Sequence, residues 1–195
     1  MAFKRKIDMQ GDVFNGISCV FAVKGGIATT GNAATLKDTD MIEFPVSDES
    51  GFNFDTGAPS IDHFKIKGLQ ADWVSKFKPG DGEVKLEIPC NNTEILDFCG
   101  FKGQKTTLTL PAGLTVGGKG KVSGLSYSST QKAIYLGVLV LNDSEDKILY
   151  IKKVKFMAQL VFDSSNKPLC VVLTGSVAAG ADADAFGIFE PDATA

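Results

Sequence analysis

The run Ala133-Ile-Tyr-Leu-Gly-Val-Leu-Val-Leu141, the polar break Asn142-Asp-Ser-Glu-Asp-Lys147 and the long stretch 148–162 decide the fold. The first run is apolar throughout, which fits a strand lying centrally or covered on both faces. The break consists of residues that favour turns. In the long stretch Val154, Phe156, Ala158, Leu160 and Phe162 alternate with Lys153, Lys155, Met157, Gln159 and Val161. A period of two puts the first set on one face of a strand. The polar turn Asp163-Ser-Ser-Asn-Lys-Pro168 then leads into an apolar run over 169–177. Three strands joined by short polar turns make an antiparallel meander.

Working outward, Glu83-Val-Lys-Leu-Glu-Ile-Pro89 alternates strictly, with Val84, Leu86 and Ile88 on one face. Weaker strand signals cover 17–24, 41–46, 61–67, 106–110 and 121–127. A single helix is expected. Asn91 is placed to cap it, Glu94 stands at capping-box spacing, and Ile95, Leu96, Phe98 and Cys99 form an apolar face before Gly100. Such a short helix is unstable alone in water and must pack on a sheet. The expected fold class is mainly β: an antiparallel β-sandwich or barrel-like fold with one short flanking helix at about residues 92–99. No βαβ alternation is visible, which excludes Rossmann and TIM layouts.

The 195 residues suit one large domain. It is expected to comprise an N-terminal arm plus first strand (1–40), a β-sandwich (41–177) and a flexible C-terminal tail (178–195). No apolar run approaches the roughly 18–20 residues of a membrane span. The start, Met1-Ala-Phe-Lys-Arg-Lys-Ile-Asp, turns polar too early for a secretory signal. Cys19, Cys90, Cys99 and Cys170 are far apart, with no Cys-x-x-Cys pair, which argues against zinc or redox sites. They are expected to be free thiols, mostly buried, in a reducing cytoplasm.

Charge is uneven along the chain. Residues 1–37 carry +3, 38–100 carry −8, 101–175 carry +6 and 176–195 carry −4. Ordinary solvated faces account for this. The sharper alternative is self-complementarity, an acidic surface of one copy meeting a basic surface of the next.

Few residues stand in patterns that carry catalytic or binding chemistry. Gly113-Leu-Thr-Val-Gly-Gly118-Lys119 mimics a phosphate loop, but Gly120 stands where the metal-binding hydroxyl belongs and no helix pattern follows. His63 is the lone imidazole, in an alternating strand, with no Gly-x-Ser-x-Gly elbow anywhere. Asp182-Ala-Asp184 opens like a calcium loop but has Ala193 where the closing glutamate is needed. Trp73 and three tyrosines leave a sugar-stacking site conceivable but unsupported. The expectation is therefore no enzyme, with no catalytic, cofactor-binding or metal-binding residues and no cofactor.

Three segments place apolar residues where a solvated loop rarely would. Segment 45–60 carries Phe52 and Phe54. Segment 112–124 carries Val116 and Lys119 among five glycines. Segment 178–195 carries Phe186, Ile188 and Phe189. The expectation is that they order against another subunit, with packing on their own domain as the alternative. Phe52, Phe54, Val116, Lys119, Phe186 and Phe189 are the candidate subunit-interface residues.

The order of elements carries a resemblance. Glu43-Phe-Pro-Val leads into Ser50-Gly-Phe-Asn-Phe-Asp-Thr-Gly-Ala-Pro59. Trp73, the turn Pro79–Gly82, a strand ending Ile88-Pro and the helix Thr93-Glu-Ile-Leu-Asp-Phe follow. Tyr150-Ile-Lys-Lys-Val-Lys-Phe then precedes Lys167-Pro-Leu-Cys-Val-Val-Leu-Thr-Gly175. Over roughly 41–177 this resembles the major tail proteins that form the tube of long-tailed bacteriophages. The resemblance implies a two-sheet sandwich with a flanking helix. It also implies a virion protein made in the bacterial host cytoplasm and assembled as hexameric rings stacked into a hollow tail tube. It implies tape-measure, tail-tip and tail-terminator partners, and DNA passing through the lumen without specific binding. No membrane partner is implied. The acidic 38–100 stretch, or the sheet face opposite it, is then expected to line the lumen, rather than Lys152, Lys153 and Lys155. Other readings are a different β-sandwich subunit of a phage virion or contractile injection device, such as a decoration or tail-tip protein, and a free-standing carbohydrate-binding module.

Overall fold

The computed structural model describes residues 14–30, 33–46, 51–64, 67, 74–78, 80–89, 92–128, 132–162, 168–177 and 185–191. The apolar meander forms as expected: β11 (Ala133–Leu141), β12 (Ile148–Val161) and β13 (Cys170–Val177) lie side by side, antiparallel. Asn142 makes the first turn. Its side-chain oxygen accepts from the amides of Asp146 (3.1 Å) and Lys147 (2.9 Å), and its Nδ2 donates to the Asp146 carboxylate at 2.6 Å. Glu145 takes φ +56° there, a left-handed corner that a non-glycine residue seldom occupies. The Asp163–Lys167 part of the second expected turn lies outside the described residues.

The meander is the centre of one eight-stranded antiparallel sheet. On one side β11 pairs β1 (Cys19–Lys24), which pairs β4 (Met41–Phe44). On the other, β13 pairs β8 (Glu83–Pro89), which pairs β5 (Phe52–Asp55). The short strand β14 (Phe186–Phe189) pairs the first residues of β12. The fold is thus mainly β, and the sheet curls into a half-barrel with one short helix. Of the sandwich and barrel-like forms expected, the main sheet takes the barrel-like one.

Its inner face is the core. Val20, Ala22, Phe44, Val84, Leu86, Ile88, Leu136, Val138, Val140, Ile151, Val154, Phe156, Val171 and Leu173 are all essentially fully buried in one cluster. The helix α1 (Thr93–Phe98) adds Ile95 and Leu96, with Cys99 just after it. A six-residue helix has too few hydrogen bonds to persist alone, so this packing holds it. Phe98 also meets Phe44 edge-to-face at 5.9 Å. The cap differs from expectation by one residue: Asn92, not Asn91, accepts from the Glu94 amide at 2.9 Å. Asn92, one position later, reaches the amide of the second helical residue; Asn91 itself lies outside the described residues.

Alternation breaks once. Leu136 faces Val154 but Val138 faces Ile151, so Gly137 alone opposes Lys152 and Lys153. This is a β-bulge, which bends and twists the strand locally. The Lys152 carbonyl is taken by the Ile27 amide at 2.8 Å, and the Ile27 side chain lies over Gly137. Ile27, Val23 and Leu139 form a small second cluster on the outer face.

Three further two-stranded sheets stand apart from the main one: β2 (Thr29–Thr30) with β3 (Ala33–Ala34), β6 (Ser60–Phe64) with β7 (Val74–Lys78), and β9 (Gln104–Thr109) with β10 (Lys121–Ser126). His63 sits in β6 opposite Ser75, as a strand residue. Trp73 and Cys90 lie outside the described residues.

Candidate assembly surfaces

The β9–β10 hairpin is barely covered by the rest of the domain. Every residue of β9 is exposed, and both strands pair only with each other. Threonine and serine hydroxyls link them: Thr106 to Ser126 at 2.8 Å and Thr107 to Ser123 at 3.2 Å. Such cross-strand pairs stabilise a ribbon modestly. Beyond the strands, Val116 and Lys119 exchange backbone hydrogen bonds of 3.0 and 3.1 Å around Gly117 and Gly118. Both glycines have positive φ (+57° and +75°), the signature of a type I′ turn, which only glycine-like residues enter cheaply. The glycines that mimic a phosphate loop are therefore turn residues. Leu108, Leu114 and Val116 are 60%, 55% and 60% exposed. Lys105, Lys119 and Lys121 are the ribbon's charges, with no acidic residue between 104 and 126.

The base of this ribbon is held firmly. Phe101 and Tyr127 meet edge-to-face at 6.3 Å and pack against the core. A Cβ on Gly103 would approach Leu125 and Tyr127 to 2.9 Å. Burial, with Asp97 adding to it, holds the Tyr127 phenol above its ordinary 10.0, so this junction stays neutral. An apolar, basic arm projects from a fixed root.

A second surface lies where the half-barrel fails to close. Among the described residues β4 and β5 each have one strand neighbour, so each leaves one backbone edge unpaired. A trough of about 810 Å³ lies along this seam. Phe44, Val46, Phe52 and Phe54 come to it from the two edges, Phe14 and Ile17 from the entering chain. Its charged lining residues are Glu43 and Asp143. Cys19 also lines it, and its thiol is pushed above the ordinary 9.0 by burial first, then by the nearby Glu43 and Glu145 carboxylates. Its described lining is thus largely apolar, with two carboxylates as its charges.

The third surface is β14. Phe186 and Phe189 are expected in a flexible tail that orders on another subunit; instead they form a strand on their own domain. Ile148–Ile151 of β12 extends past β13, and β14 fills that vacant edge. Phe186 meets Phe54 edge-to-face at 5.2 Å, and Phe189 meets Tyr150 at 5.4 Å. The largely buried Lys147 donates to the Glu190 carboxylate at 2.7 Å. Phe52 and Phe54 likewise belong to β5 and pack on the core. Residues 178–184 and 192–195, including Asp182 and Asp184, lie outside the described residues.

The six candidate interface residues thus divide. Val116 and Lys119 share the ribbon tip. Phe52 and Phe54 flank the trough, with Phe186 beside them and Phe189 on the other face of β14. Sequence reasoning missed the trough, because Phe14, Glu43 and Asp143 come together only through the curl of the sheet. No group of three or more potential metal ligands exists among the described residues. No helix among them is long and apolar enough to cross a membrane.

No protein-family model matches the chain, and no curated protein matches it significantly.

Proposed function

We propose that this chain is a structural subunit that self-assembles into stacked rings forming the tube of a bacteriophage tail, a channel for DNA delivery. One observation carries the reading: a firmly rooted ribbon exposes Leu108, Leu114 and Val116 to solvent and finds no cover on its own domain. A monomeric protein gains nothing from such an arm, whereas a repeating assembly gains a contact from every copy. The two edges left unpaired among the described residues support the reading as well. Free edges invite unwanted pairing in a monomer and become joints in a closed ring. Partners in this reading are copies of the chain, then tape-measure, tail-tip and tail-terminator proteins, with DNA passing without specific binding.

Charge that is segregated along the chain is interleaved on the sheet, where Glu83 and Glu87 of β8 share the outer face with Lys85 and, across β13, with Lys155. That face is mixed, and it grips phosphate weakly compared with a purely basic one.

Sedimentation velocity over a wide concentration range tests the reading. The expected result is growth from small species to very large ones with rising concentration. A monomer at every concentration, retained on a glycan resin, would replace this reading with a carbohydrate-binding module.

A further inference from the structure

We infer that the seam trough is the socket for the β9–β10 ribbon tip of a second copy of the chain. The inference rests on the self-assembly reading above and adds which two surfaces meet. The tip is apolar at Leu114 and Val116 and basic at Lys119 and Lys121, with no acid nearby. The trough is apolar at Phe52 and Phe54 and acidic at Glu43 and Asp143, with no base among its described lining residues. Each surface lacks what the other supplies. The pairing of apolar floor with apolar tip provides affinity, and the opposite charges set orientation and suppress wrong partners.

The ribbon has the reach for this contact. The paired arms alone, six residues each, extend about 20 Å at roughly 3.3 Å per residue, so the tip stands well clear of its root. The trough is also bordered by two strand edges that have no second partner among the described residues, and such edges can accept backbone hydrogen bonds from an incoming ribbon. The ribbon and the trough are different patches, so the contact is heterologous. It repeats from copy to copy, and closes into rings or continues as a stack according to its rotation.

Cys19 provides the probe. A Val116→Cys variant, otherwise full length and keeping the other native cysteines, is oxidised with diamide under assembling conditions and run on a non-reducing gel. The expected result is a ladder of disulfide-linked multimers that disappears when Cys19→Ser is added. No ladder, a ladder indifferent to Cys19→Ser, or an intrachain link between positions 19 and 116 overturns the inference. So does an intrachain link from a Phe3→Cys variant to Cys19, because the N-terminal segment would then hold the trough. A charge exchange gives a second reading. Lys119→Glu should raise the concentration needed for assembly about tenfold, and adding Glu43→Lys should restore it. No restoration overturns the charge pairing. Micrographs separate the two levels: tubes without the Cys19-dependent ladder remove this docking only, whereas no assembled species at all removes the tail-tube reading with it.

Discussion

Gly175 and Gly124 both stand in strands, yet they face opposite constraints. A Cβ on Gly175 would come within 2.5 Å of the Lys155 carbonyl oxygen, and backbone cannot step aside as a flexible side chain can. A Cβ on Gly124, in the ribbon, meets nothing within 4 Å. Gly175→Ala should therefore lower stability in a denaturant titration by about 1–3 kcal/mol, the usual range for overpacking. Gly124→Ala should change it by less than about 0.5 kcal/mol. Equal effects would mean that the ribbon is packed after all. Cys19 supplies a pH prediction. Its folded-state pKa lies above the ordinary 9.0, so folding favours the neutral thiol. Any stabilisation from this is complete below pH 9 and fades as pH rises through the folded value. Alkylation by iodoacetamide should have a midpoint above 9.0, which Glu43→Gln should lower. A midpoint below 9.0 would show that the seam is not negative.

At the scale of elements, α1 and β14 show how tertiary contacts decide short structure. Leu96 is buried under the sheet, so Leu96→Ala should cost about 2–5 kcal/mol. Asn92→Ala removes the cap observed on the Glu94 amide and should cost about 1 kcal/mol. A negligible loss for Leu96→Ala would mean that the helix does not cover the core. Much of this level was legible from sequence. The period-two patterns of 83–89 and 148–162, and the turn residues at 142–147, place three of the longest strands because local propensity and burial agree there. The bulge at Gly137 was not legible, since Lys152 and Lys153 merely look like a register break until Ile27 is seen taking the freed carbonyl. Nor was β14, whose apolar residues resemble a tail until the vacant edge of β12 is known. Glu190→Gln, which weakens the Lys147 contact, should speed amide exchange in β14 and along Ile148–Ile151 while the rest of the sheet keeps its protection. Unchanged exchange would show that the strand pairing alone holds β14.

At the scale of the whole molecule, the described residues form a curled sheet whose outer strands β4 and β5 each have one partner, with a helix and three separate two-stranded ribbons, of which β9–β10 is an uncovered arm. The sheet buries a continuous core on its inner face. Its ribbon keeps Leu108, Leu114 and Val116 in water, a state that association relieves. Sequence revealed the ribbon tip, through glycines and lysines that no core position would choose. It could not reveal the trough, which depends on how far the sheet curls and therefore on every strand at once. The fold leaves that arm free of its own body, and the reading of the chain as a building block stands on this. Negative-stain microscopy of concentrated full-length protein beside a variant lacking residues 114–122 tests it most directly. The account predicts hollow tubes or stacked rings of uniform width for the first, and a folded chain that never stacks for the second. Isolated particles from the full-length protein, or tubes from the variant, would contradict it.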